Sequence, residues 1–166
     1  MVHAQDRYMT KEGEVSFFSS APLEDIEAFN KEAQSVIDIE KKQIAISIPI
    51  RGFKFERSLM EEHFNENYLE SEKYPKATFK GTYACDDCQA SGVYKVKVNG
   101  EMTIHGVTKP FTMDGTLTIG KSSVRTQTTF KVRLEDFDIE IPRMVFKNIA
   151  EVVDVKADFT HKPLNK

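Results

Sequence analysis

Alternation of apolar and polar side chains is the strongest pattern in this chain, and it is clearest near the middle. Apolar residues or glycine occupy the even positions from Tyr94 to Ile104, with polar residues at the odd positions between them. The phase then changes, and apolar residues or glycine occupy the odd positions from Phe111 to Ile119. A period of two on both sides of a turn, placed at residues 105–109, predicts a long antiparallel hairpin with one buried face. Because an isolated hairpin is marginally stable in water, a larger sheet must surround it.

Asn99-Gly100 lies inside the first half of this hairpin. Asn-Gly commonly forms a two-residue hairpin turn. However, the parity of the apolar positions passes through this dipeptide unbroken. The sequence therefore predicts a continuous strand, with Gly100 at a bend or at a close approach to another backbone.

Shorter runs of the same alternation predict strands along most of the chain. A turn or bulge is expected near Glu135-Asp136, because the apolar residues Phe137, Ile139 and Ile141 follow in a shifted phase. The predicted strands are residues 14–20, 35–39, 43–50, 76–84, 124–134 and 152–161, with an edge strand at 7–10.

Two other segments depart from the period of two. Met60, Phe64 and Tyr68 are spaced four apart, so they share one face of a helix predicted over residues 57–68. Residues 23–29 are predicted to form one helical turn or a loop. About eight to ten short strands with a single helix predict an all-β antiparallel barrel or sandwich. The regular spacing of the hairpins favours an up-and-down barrel, which also removes exposed sheet edges.

Size and charge limit the class of protein. The 166 residues predict one domain over residues 1–166, with a core at about 14–162. A net charge of -3 with no cluster of Lys and Arg argues against nucleic-acid binding. No apolar run approaches the length of a membrane span.

The N-terminus has two interpretations. Residues 1–20 contain no apolar core of a signal peptide. Val2-His3-Ala4, placed before Gln5, resembles the small-residue end of a cleaved signal, and this predicts a periplasmic or secreted protein. An ordinary polar N-terminus is the alternative.

Cys85-Asp86-Asp87-Cys88 is the most obvious chemical motif. A zinc site would need two more ligands, but there is no second Cys pair and the four histidines are scattered. A redox pair is expected at a helix N-terminus, whereas this segment lies between predicted strands. The interpretations that remain are a loop disulfide between Cys85 and Cys88 in an oxidising compartment, inert free thiols, and, with less weight, metal or redox chemistry.

Recognisable catalytic motifs are absent from the sequence. It contains no nucleophile elbow, zincin motif, dinucleotide fingerprint or Walker motif. His105 is interpreted as an exposed turn residue. The expectation is therefore a protein that is not an enzyme and requires no cofactor or metal.

Composition raises the question of a cavity. The chain has 12 Phe, 6 Met and no Trp, and Met side chains adapt to varied ligands. The interior of a barrel of about eight strands is either filled by side chains or holds one small ligand. The pattern alone leaves both possibilities open.

Two segments resemble one known family. RGFKFERSLMEEHFNENYLESEKYPKATFKG (51–81) is similar to the central signature of the YceI-like family, a polyisoprenoid-binding, lipocalin-like group. NGEMTIHGVTKPFTMDG (99–115) is similar to that family's second signature, with Met102 where Leu is usual. The resemblance implies a lipocalin-like barrel with a helix near its mouth and an apolar tunnel. The tunnel would hold a polyisoprenoid, an isoprenoid quinone or a fatty-acid-like lipid, and export from the cytoplasm is implied too.

The expected function is non-catalytic binding, storage or transport of such a lipid. The alternatives are a secreted stress-response or interaction protein with a solid barrel, and a lipid-modifying or thiol-dependent enzyme. The sequence is also compatible with a homodimer. Arg51, Arg57 and Arg143 are candidates for contacting the lipid head group. The candidate tunnel-lining residues are Phe53, Phe55, Met60, Phe64, Phe79, Met102, Phe111, Met113 and Phe130.

Overall fold

Antiparallel strands make up most of the protein in this computed structural model. The described residues are 7–20, 25–86, 88, 90–140 and 151–164. The strands are β1 (Arg7–Ser20), β2 (Asp25–Asp38), β3 (Gln43–Pro49), β4 (Lys54–Phe55), β5 (Lys76–Ala84), β6 (Gly92–Ile104), β7 (Val107–Ile119), β8 (Val124–Arg133) and β9 (Val152–Pro163). The helix α1 (Ser58–His63) continues into a π-helical turn at Phe64–Tyr68, and 3-10 turns lie at Ile50–Gly52 and Leu134–Phe137.

The sheet closes into a barrel. The hydrogen-bonded order is β1-β9-β8-β7-β6-β5-β3-β2, and β1 also pairs with β2. Each long strand therefore lies beside its neighbour in the sequence, and the last strand returns to the first. The expected fold class, an antiparallel up-and-down barrel with a short helix, is confirmed for the described part of the chain. We call the end near α1 the mouth and the opposite end the base.

The β6–β7 hairpin confirms that Asn99-Gly100 does not form a turn. Gly100 pairs with Gly81 on one side and with Phe111 on the other. A Cβ at position 100 would lie 2.7 Å from the Cα of Gly81, so glycine permits the close approach of β5 and β6. The turn itself is shorter than predicted and consists of His105-Gly106, with φ values of 55° and 76°. Positive φ at both positions is the requirement of a type I′ hairpin turn.

The first third of the chain contains the main correction to the predicted elements. Residues 25–29 are not a helical turn or loop, because they are the first residues of β2 and pair along β1 from Ser20 to Ser16. Ile26 and Ala28 are buried while their neighbours are exposed. The two strands predicted at 7–10 and 14–20 are one strand, β1, with irregular register between Thr10 and Val15.

Asn30 connects β2 to the segment that leads to the helix. β3 pairs with β2 only at residues 34–38, and β4 pairs with β2 at Ala28 and Phe29. In the gap between them, the buried Asn30 side chain donates a hydrogen bond to the Pro49 carbonyl (2.8 Å) and accepts one from the backbone N–H of Glu32 (2.8 Å). This contact fixes where the chain leaves β3 and turns over the mouth.

Candidate functional site

An apolar cavity of about 150 Å³ lies inside the barrel below α1. We call it the upper chamber. None of the described residues that line it carries a charge. The structure places seven of the nine predicted tunnel residues on its wall. These are Phe53, Phe55, Met60, Phe64, Phe79, Met102 and Phe130.

Four phenylalanine rings form a continuous cluster on one side of the upper chamber. Phe17 of β1 lies at its centre, with ring centroids 5.2 Å from Phe53, 5.8 Å from Phe55 and 5.4 Å from Phe64. Phe64 also contacts Phe55, with centroids 5.0 Å apart. Edge-to-face and tilted contacts of this kind stabilise aromatic clusters beyond the area they bury. Sequence reasoning did not assign Phe17 to the tunnel, although its alternation with Val15 and Ser19 gave the signal.

The helical segment covers the upper chamber. Met60 of α1 and Phe64 and Tyr68 of the π-helical turn are buried, as the spacing of four predicted. The backbone N–H of Leu69 donates to the Phe64 carbonyl (2.9 Å), and this i→i+5 bond lets Leu69 face inward as well. Burial raises the pKa of the Tyr68 phenol above its ordinary value. Leu59, in contrast, is 60% exposed on the outside of α1.

His105 joins three segments that surround the mouth. Its Nε2 lies 2.5 Å from Glu70 Oε2 and its Nδ1 lies 3.0 Å from the Phe137 carbonyl. The edge of Tyr74 packs against the imidazole, with ring centroids 4.9 Å apart. The side chain is only 11% exposed, so its interpretation as an exposed turn residue is wrong. The reason is that Glu70, Tyr74 and the Phe137 carbonyl, which are distant in the sequence, pack around the imidazole.

The partners of His105 are neighbours of residues that line the upper chamber. Glu70 follows Leu69 in the chain, and His105 follows Ile104. Phe137 lies between Leu134 and Ile139, which also line the chamber. Contacts of the imidazole therefore hold together the wall segments at the mouth.

A second cavity of about 40 Å³, which we call the lower chamber, lies toward the base. Met113 lines this cavity rather than the upper chamber. Phe111 lines neither, but its ring lies edge-on to Phe130 with centroids 5.3 Å apart. Tyr83 also lines the lower chamber, and burial together with the charge of Asp38 raises its pKa to about 12. The ligand-contacting role of all nine tunnel candidates stays a prediction.

The three arginine candidates lie outside the upper chamber or outside the described residues. Arg51 is exposed and borders an outer pocket that also contains Glu61, Glu62 and Glu66. Arg57 is exposed immediately before α1, and Arg143 lies outside the described residues, as does the Val2-His3-Ala4 motif. Their role in head-group binding stays a prediction.

Cys85 and Cys88 are joined in a disulfide in the loop between β5 and β6, at the base. The Lys42 ammonium group donates to the Cys85 carbonyl (2.5 Å) and holds this loop against the β2–β3 turn. Within the described ranges, no group of three His, Cys, Asp or Glu side chains is arranged to hold a metal ion. The helical part of the described structure is also too short to cross a membrane.

Comparison with curated proteins gives two partial matches. The chain is 35% identical over 81 residues to a UPF0312 protein of Vibrio parahaemolyticus, which is 45% of this chain and 41% of that protein. It is also 35% identical over 83 residues to a UPF0312 protein of Vibrio campbellii, again covering 41% of that protein. The match therefore spans less than half the length of either relative.

Solved structures share the fold over most of the chain. A polyisoprenoid binding domain from Saccharophagus degradans, implicated in plant cell wall breakdown, is 14% identical and covers 96% of this chain and 99% of its own, with a TM-score of 0.82. Burkholderia cenocepacia BcnA is 19% identical and covers 89% and 95% of the two chains, with a TM-score of 0.73. Campylobacter jejuni YCEI protein is 18% identical and covers 86% and 88%, with a TM-score of 0.68. At these identities the likeness establishes the fold alone.

Family comparison extends over nearly the whole molecule. The family model described as the YceI-like domain matches residues 10–161. This range contains both segments on which the sequence resemblance was based, and it contains every strand that forms the closed barrel except the first few residues of β1 and the last two of β9. The chain therefore belongs to the YceI-like family.

Proposed function

We propose that this protein binds the hydrocarbon chain of an isoprenoid or a similar long amphiphile inside the barrel, without chemically changing it. The observation that carries the proposal is the upper chamber, a cavity whose described lining carries no charge and consists largely of flat and flexible apolar side chains. The name of the Saccharophagus degradans domain, which describes it as polyisoprenoid-binding, gives additional support through the shared fold. Binding sites of this kind are mostly apolar, with polar groups at the entrance.

The size of the upper chamber indicates how large a ligand it holds before side chains must move. A cavity of about 150 Å³ lined by aliphatic and aromatic side chains holds a ligand of the size of benzene. A longer chain requires side chains to move, and Met60 and Met102 have the rotatable bonds to do so. Burial of the hydrocarbon chain contributes a favourable binding free energy of roughly 25 cal/mol for each Å² of apolar surface removed from water.

The lining residues also argue for binding rather than turnover. Ser19, Thr78 and Tyr68 supply hydroxyl groups, but the described residues that line the upper chamber include no His, Cys, Asp, Glu, Lys or Arg. General acid–base and nucleophilic catalysis rely mainly on such side chains. A role in storing or carrying the lipid is consistent with this chemistry. The Cys85–Cys88 disulfide supports a location in an oxidising compartment such as the periplasm or the cell exterior.

Native mass spectrometry after mild purification tests the proposal. We expect a protein peak with an additional mass that disappears on extraction with organic solvent, and restoration of that peak by added polyprenol. A clean mass for the unliganded protein, together with no uptake of polyprenol, contradicts the proposal and favours a protein that acts through its outer surface.

A matched pair of variants locates the bound lipid. Ala77 is buried on the wall of the upper chamber, and Ala45 is exposed on the adjacent strand. Ala77→Leu places added carbon atoms in the chamber and is expected to reduce lipid uptake, whereas Ala45→Leu adds the same atoms outside and leaves uptake unchanged. Equal uptake by the two variants would show that the lipid binds elsewhere.

A further inference from the structure

The inward-facing residues of β5 show where the barrel interior is divided. Phe79 lines the upper chamber and Tyr83 lines the lower chamber, whereas Gly81 between them lines neither. The two chambers have no lining residue in common among those described. The interior is therefore interrupted at the level of Gly81, and we call this level the waist.

The neighbouring strand β6 repeats this arrangement. Met102 lines the upper chamber and Val98 the lower chamber, and Gly100 lies between them, paired with Gly81 of β5. A Cβ at position 100 would lie 2.8 Å from the Cζ atom of Phe79. The ring of Phe79 therefore occupies space that a larger residue at position 100 would fill.

A second aromatic ring lies against a glycine on the other side of the barrel. The ring belongs to Phe159 of β9 and the glycine is Gly13 of β1. A Cβ at Gly13 would overlap the ring of Phe159, which is buried and lines the lower chamber. The buried Ala33 of β2 is the other close neighbour of Gly13. Small residues on both sides thus leave room for aromatic rings, with Phe79 bordering the upper chamber and Phe159 bordering the lower chamber.

We infer that the waist limits the length of hydrocarbon that the upper chamber accepts, and that Phe79 is the residue that sets this limit. The inference rests on the proposed function. Carbon atoms above the waist enter a space bordered by the flexible side chains of Met60 and Met102. A longer chain must displace Phe79, which is 3% exposed and lies against Gly100. Because protein interiors are close-packed, such a ring cannot move without disturbing its neighbours.

A series of straight-chain fatty acids of increasing length tests this inference on the intact protein. Each added methylene that becomes buried improves the dissociation constant about fourfold. We expect this improvement with each methylene until the chain tip reaches the waist, and a much smaller improvement beyond that length. We call the chain length at which the improvement becomes smaller the break. In the Phe79→Leu variant the break is expected at a longer chain.

Phe55→Leu is the matched control. Phe55 also lines the upper chamber, but it lies at the mouth in the aromatic cluster. Replacement of Phe55 by Leu is expected to lower the affinity for every fatty acid by a similar factor and to leave the break at its original chain length. Met102→Ala is the variant for use if Phe79→Leu does not fold. Met102 pairs with Phe79 across the strands, so its truncation leaves room beside the Phe79 ring for that ring to be displaced.

The outcomes separate this inference from the proposed function. Affinity that rises steadily with no break overturns the role of the waist while lipid binding stands. A break that stays at the same length in whichever of Phe79→Leu and Met102→Ala folds does so too. Failure of the wild-type protein to bind a fatty acid of any length, together with no uptake of polyprenol, overturns both.

Discussion

Acidification should destabilise the barrel through one histidine at its base. His161 of β9 is completely buried, its Nδ1–H donates to the Val124 carbonyl (2.8 Å), and its Nε2 accepts from the Ser35 hydroxyl (2.8 Å). These partners satisfy the neutral imidazole in one tautomer. Burial lowers the pKa of His161 to about 4, and the hydrogen bond to the Val124 carbonyl opposes this shift only in part.

The size of the effect follows from the two pKa values. The unfolded chain takes up a proton on this histidine near its ordinary pKa of 6.5, whereas the folded protein does so only near a pKa of about 4. Between these values the unfolded state binds more protons, so stability decreases as the pH falls. The contribution of His161 is complete above about pH 6.5 and is lost progressively toward pH 4. The loss from about pH 7.5 to about pH 5 is roughly 2 kcal/mol, and the total loss is about 3 kcal/mol.

Urea unfolding at a series of pH values measures this loss. The comparison is between wild type, His161→Gln, and Ile37→Val as a control. Ile37 is buried toward the base of the barrel and does not titrate, so its replacement is expected to lower stability by about 1 kcal/mol at every pH. We expect the His161→Gln protein to lose about 2 kcal/mol less than wild type over the same pH range.

Parallel loss of stability in wild type and His161→Gln would refute this reasoning. A second measurement does not depend on whether the variant folds. The ring carbon chemical shifts of His161 in the wild-type protein should remain those of a neutral imidazole down to about pH 5. A charged ring at that pH would contradict the argument from burial.

Three further substitutions have defined consequences. Gly100→Ala places a Cβ against the neighbouring strand and should lower the free energy of unfolding by about 2 kcal/mol or more, measured by urea titration. Asn30→Ala removes the hydrogen bonds that hold the end of β3 to β2, and it should cost about 1–3 kcal/mol in the same assay. A double-mutant cycle of His105→Gln and Glu70→Gln should give a coupling of about 1 kcal/mol, because the pair is partly exposed; additive effects would show that the contact contributes nothing.

The strands could be predicted where one face is buried and the other is exposed. β6 and β7 have this character, and the unbroken parity at Asn99-Gly100 correctly outweighed the local turn preference. The prediction of a helical turn or loop was wrong for residues 25–29 because Leu23 and Ile26 are spaced as in a helix. The strand β1, which pairs with this segment and makes it a strand, lies elsewhere in the sequence. Local pattern carries no information about such a partner.

The site could be predicted only in part, for a similar reason. Inward parity placed Phe79, Met102 and Phe130 on the upper chamber, and the spacing of four placed Met60 and Phe64 there. Parity did not indicate that Met113 lies beyond the waist, because parity specifies the face of a strand and not the depth along the barrel. The contacts of His105 with Glu70 and Phe137 involve residues 35 and 32 positions away, and no local pattern reports them.

Closure of the barrel by β9 determines when folding can be completed. Val15 of β1 pairs with Ala157 of β9, and His161 bonds to Ser35 across 126 positions of sequence. During synthesis, β1 and β8 each lack a partner along one edge until the C-terminal strand has emerged. Contacts of such long range make folding slow, on the order of milliseconds to seconds. A chain truncated before residue 152 would therefore keep two open strand edges and should aggregate rather than form a smaller barrel.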